Sequence, residues 1–169
     1  MQGPGVADGA RAAEVKDRTM ASIFDALTST QIAGLTTQGI NALTASDWAG
    51  LTSAQIVHLT TAQIGAIQPT GFKAITASAL SAMETQDFAQ VTTAQVKVLT
   101  QEQLGVLQSD DIAALGTTQV SALSAQQLGS LTTAGLVGLE TTDIKALSAA
   151  QVKGLTTLQI DALGTDQVA

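Results

Sequence analysis

His58 is the sole imidazole in the 169-residue chain, and the chain has no cysteine. A zinc site needs several His or thiolate ligands, so none can be assembled here. A general base at His58 would likewise stand without a partner to orient it. Asp110 and Asp111 form the densest acidic spot, and paired carboxylates serve acid/base or cation chemistry elsewhere. Their place just ahead of Ile112 instead suits the first turn of a helix, where the peptide dipole favours negative charge. No nucleophile with a base and no phosphate-cradling loop is present. The expectation is therefore a protein that is not an enzyme and uses no metal and no cofactor.

The polar groups present in quantity are hydroxyls and amides at fixed spacing. Thr60 and Gln63, Thr92 and Gln95, and Thr156 and Gln159 each stand three residues apart, just ahead of an apolar residue. That is the capping box, in which the hydroxyl accepts from the third helical amide and the Gln side chain reaches back to the cap amide. These pairs are expected to start helices. Extra hydroxyls at Thr37, Thr61, Thr93, Thr133 and Thr157 exceed what caps need. They leave open O-linked glycans and, as a remote alternative, an ice-binding face; the interrupted run of Thr-Thr pairs weighs against the latter.

The capping pairs belong to an octad. From Thr28 to Leu163 the chain divides into seventeen octads without insertion, including TSAQIVHL, TTAQIGAI and TTAQVKVL. The eighth position is Leu in thirteen of them and Ile67, Ile75, Met83 or Val91 in the rest; the fifth is always apolar. Ile32, Leu35, Trp48, Leu51, Ile64, Ile67, Phe72, Phe88, Val96, Leu99, Ile112 and Leu115 are core candidates on this pattern. Position seven is mostly Ala or Gly, which fits close backbone approach, and position six varies freely, as a solvent-facing site does. MASIFDAL, residues 20–27, fits one frame earlier.

Apolar positions three apart share one face of a helix. A continuous helix fails, because eight residues advance about 800° and the apolar stripe would drift by roughly 80° per octad. The helix must stop and restart in every octad. Charge agrees: the acids of the array fall at positions one to four except Asp161, and Lys73, Lys97, Lys145 and Lys153 all fall at position six, as the dipole requires. A helix of under two turns cannot hold itself together, so neighbouring units must stack. The fold class expected is all-α: a solenoid, or superhelix, of very short helices, one per octad, spanning residues 20–169. Phe24, Trp48 and Phe72 recur every third octad, which points to about three octads per superhelical turn; Phe88 breaks that series. Residues 1–19, Gly-rich and then charged, read as a tail or docking arm.

These octads resemble the LTTxQ(I/V)xAL-type tandem repeats of very long bacterial surface or secreted proteins, often adhesin-like, over nearly all of residues 20–169. The resemblance implies an extracellular or cell-surface location. TTAQVKVL also looks like the opening of a TAL effector repeat, but the longer period and base-reading pair of that family are absent. A net charge of −7 with seven basic residues argues against nucleic acid. The uncharged stretch from Trp48 to Phe72 is broken by Thr, Ser and Gln, against membrane insertion, and no secretory h-region stands at the N-terminus. The last octad stops at Ala169 without its Leu, as in a slice of a longer array or an end that stacks on another copy. The leading expectation is a structural protein whose partner is itself, forming an extracellular bacterial filament by head-to-tail stacking. The rival is a monomeric spacer or binding segment of a giant surface adhesin.

Overall fold

The computed structural model describes residues 22–168. The expected arm at 1–19 and the final Ala169 lie outside the described residues, as does the start of the octad at Met20.

Every octad builds one helix of four to six residues, from Ser29–Ala33 through Thr157–Ala162, preceded by a 3₁₀ turn at Ile23–Ala26 and followed by Thr165–Val168. Among the described residues, all regular elements are helical. Helix Thr61–Ala66 shows how each begins and ends. Thr60 is extended at φ −81°, ψ 156° and its hydroxyl accepts from Gln63 N at 3.3 Å, while Gln63 Oε1 accepts from Thr60 N at 2.7 Å. The helix stops when Ile67, at φ −63°, ψ 128°, donates its N–H to Ile64 O at 3.2 Å. Ile67 and Gln68 are both extended, so the chain turns a corner in two residues. No described residue takes a positive φ, so the corners need no left-handed glycine cap. The octad starting at Gln68 lacks a hydroxyl cap and uses Pro69 at the first helical position instead, where a missing N–H costs nothing.

Packing follows a rule of three. Ala45–Ala49 packs on Pro69–Ala74, Ser53–Ile56 on Ala77–Leu80, Thr61–Ala66 on Thr85–Phe88, and the same spacing repeats to Thr141–Ala146 on Thr165–Val168. The molecule is therefore a three-sided solenoid with three octads to each coil, as the recurrence of Phe24, Trp48 and Phe72 suggests. The Phe24 and Trp48 rings lie 5.2 Å apart. Phe88 does not break that series: it stands on another side, in the column of Ile40, Ile64, Ile112 and Leu136.

Positions five and eight fill the axis. Ile32, Trp48, Leu51, Ile64, Ile67, Phe72, Phe88, Val96, Leu99, Ile112 and Leu115 are buried, whereas Leu35 is half-buried against the core. Position six is mostly exposed. The small residue at position seven has the expected use at Gly138 and Gly154, where a Cβ would run into the backbone carbonyls of Ser109 and Ala125 one coil below. His58, at the same position, is exposed.

Candidate functional site

The surface on which one coil rests on the next is where the polar residues converge. Gln63 not only closes its capping box. Its Nε2 also donates to Ile32 O at 2.9 Å and Leu35 O at 2.7 Å, residues 31 and 28 positions earlier. Those carbonyls belong to the helix end and corner of the coil beneath. Gln95 repeats the arrangement on Ile64 O and Ile67 O, both at 2.8 Å. Gln103 serves Phe72 and Ile75, Gln127 serves Val96 and Leu99, and Gln159 serves Leu128 and Leu131. Gln55 reaches Phe24, Gln119 reaches Val91, Gln151 reaches Leu123, and Gln167 reaches Leu139. One side chain thus caps the N-terminus of its own helix and the C-terminus of another, satisfying orphan groups at both.

The predicted caps are all in place: Thr60 with Gln63, Thr92 with Gln95, and Thr156 with Gln159 form complete boxes. The second bond of each Gln is what a local motif does not reveal. A signal was nonetheless present. The fourth position of the octads is Gln nine times and never Glu, although either suits a capping box. Only the amide has donors to spare for a carbonyl below.

Where another residue takes the fourth position, the seam changes. Gly71 makes room for the Trp48 ring: a Cβ there would lie 2.6 Å from Nε1, an atom that is buried without a hydrogen-bond partner. Gly135 similarly sits against Leu107 O, which a Cβ would approach to 2.7 Å. Asp47, Asp111 and Asp143 close the box, accepting from Thr44 N, Gln108 N and Glu140 N. Two of them also accept from the coil below, Asp47 from Ile23 N and Asp111 from the Thr85 hydroxyl, but none donates to a carbonyl there. The Thr44 hydroxyl, donating at 2.6 Å, holds Asp47 below the usual carboxylate range against the opposing effect of burial, with the Thr44 and Ile23 amides helping. Asp87 has no box with Glu84, and burial, with the charge of Glu84 second, pushes it up to about 6.

Lys73, Lys97 and Lys145 share one side with Asp47, Glu140 and Asp143, whereas the side of Glu84, Asp87, Asp110, Asp111 and Asp161 carries no lysine among the described residues. Lys73 and Lys97 border an open groove of about 480 Å³ at a corner, together with Thr100, Gln101, Ser124 and Gln126. The acids do not converge: among the described residues no group of three or more His, Cys, Asp or Glu is placed to hold a metal ion. Of the extra hydroxyls, Thr37, Thr61, Thr133 and Thr157 are exposed and Thr93 is half-buried. No helix of the described residues is long and apolar enough to cross a membrane.

Helices stacked at a fixed spacing, joined by side chains that repeat with the octad, define a helical tandem-repeat protein. The sequence pattern of the ALTTAQ repeat matches residues 80–117, 104–139 and 136–169. These overlapping matches run from 80 to 169, more than half of the chain, and the protein belongs to the ALTTAQ repeat family. A search of the curated proteins finds no match.

Proposed function

We propose that this protein is structural, not catalytic, and that it builds an extracellular bacterial filament by head-to-tail stacking of copies. The observation that supports this reading is the repeating seam. Each coil offers helix-end carbonyls to the coil above and Gln amides to the coil below, in the same register along the array, so the upper face of one coil fits the lower face of any other. At the upper face the fifth-position residue Ile160 is 48% exposed, while Leu136, covered by a coil, is fully buried. The opposite end offers elements of the kind that cover every other coil, among them Ser29–Ala33 with Gln31 in the rung position. Two different ends that fit one another make a heterologous contact, which propagates unless the geometry closes. The surface location and bacterial source in this reading rest on the adhesin-like resemblance of the octads.

Negative-stain microscopy of the purified chain over a range of concentrations tests the proposal. Filaments one solenoid wide are expected, and Ile160→Glu should shorten or abolish them while leaving the helical circular dichroism intact. Isolated short rods at high concentration would sink the filament reading. They would favour a monomeric spacer in a surface adhesin, where further repeats of the same chain cover this face.

A further inference from the structure

We infer that Asp87 makes one seam of the solenoid proton-dependent: its protonated carboxyl donates to the coil below and closes the rung, and its carboxylate leaves the rung open. Register is the basis. Gln63, Gln95 and Gln103 occupy the fourth position and donate to carbonyls 28 and 31 residues earlier. Asp87 stands in the same position, and the same spacing leads to Leu59 and Ile56. Leu59 N already donates to Ile56 O at 3.0 Å, the arrangement found at every Gln-served helix end. Ionised Asp has no donor for such a carbonyl, whereas protonated Asp has one.

Asp87 also differs from the other acids of the ladder. Asp47, Asp111 and Asp143 each accept the backbone N–H of their N-cap, which favours the ionised form. Helix Thr85–Phe88 has neither a capping box nor a side-chain cap, so Asp87 lacks that support, and it is 2% exposed. Of the charged groups around it, Glu84, which precedes its helix, disfavours ionisation too. Asp110 and Asp111 belong to Ser109–Ala113, packed on one side, where Asp111 accepts from the Thr85 hydroxyl. Thr61–Ala66, packed on the other, carries none, and His58 in the corner beneath is exposed. Burial and Glu84 together raise Asp87 to about 6. A carboxyl raised in the folded state gives stability that is fully present below the ordinary range near 4 and lost as pH rises towards 6.

The test is a carbon-13 NMR titration of the Asp87 carboxyl in the full chain, paired with urea denaturation of the wild type, Asp87→Gln and Asp110→Asn at pH 5 and 7.5. The titration midpoint should lie near 6. Asp87→Gln should be more stable than wild type at pH 7.5 and lose part of the pH dependence, because its amide closes the rung at any pH. Asp110→Asn, which removes a charge without touching a rung, should keep the wild-type dependence. A midpoint near 4, or an Asp87→Gln variant with the wild-type pH dependence, overturns the inference. The titration uses the unmodified chain, so it decides the matter even where the Gln variant folds poorly.

Discussion

At the scale of single residues, the amide of Gln95 carries the most consequence per atom. It is fully buried, its oxygen closes the box with Thr92 N at 2.6 Å, and its nitrogen holds two carbonyls of the coil below. Gln95→Glu retains the box but replaces the donor with a buried carboxylate facing those carbonyls. A loss of about 2–4 kcal/mol is expected from the unmet acceptors and the buried charge. The equivalent change at exposed Gln31 should stay within about 0.5 kcal/mol. Urea denaturation of both variants measures the difference. Asp47 and Asp87 carry opposite pH signs for the same reason. Asp47, held low by Thr44, contributes stability above the ordinary carboxylate range that disappears as pH falls. The threonine and glutamine caps were legible because a box lies within four consecutive residues. The second bond of each Gln was not, because it depends on which carbonyl the superhelical pitch brings beneath it, and only the missing Glu hinted at a donor.

At the scale of the helix, local chemistry sets where each element starts, and a close approach sets how it stacks. Gly154 lies between its own helix end and the backbone of Ala125. Neither wall is a flexible side chain, so Gly154→Ala must displace backbone and should cost about 1–3 kcal/mol. Gly105, at φ −67°, ψ −13°, has only carbonyls of its own helix near a Cβ, the nearest 3.3 Å away. Gly105→Ala should therefore be neutral or stabilise by up to about 1 kcal/mol through the unfolded chain. Thermal melts of the two variants should shift in opposite directions. The small residues at position seven were readable as a sign of tight packing. Which of them bear it was not, since Gly138 and Gly154 abut backbone while His58 at the same octad position faces solvent.

At the scale of the whole molecule, the unit of structure is the coil and not the octad. The aromatic recurrence at Phe24, Trp48 and Phe72 disclosed this, while Phe88 obscured it because a one-dimensional count does not separate the three sides. The coil makes a deletion prediction sharp. Removing residues 92–115 takes out three octads and joins Val91 to Gly116. Every later helix then keeps its side, and Gln119 comes to lie over Ile64 and Ile67, the carbonyls that Gln95 serves. Removing residues 92–103 takes out one and a half octads, placing Leu104 directly after Val91 with no cap between them. Because a solenoid's stability is roughly the sum of its units and the interfaces between neighbours, the first deletion should shorten the rod at modest cost, with its circular dichroism per residue unchanged and its melt still cooperative. The second deletes a helix start and shifts every later corner by half an octad against the coils before. Gln119 and Gln127 then lose their carbonyls, while Gln151 and Gln159, whose partners lie beyond the cut, keep theirs. Broad melting or loss of helical signal is expected there. Equal behaviour of the two deletions would show that the ladder of amides does not set the register of the coils.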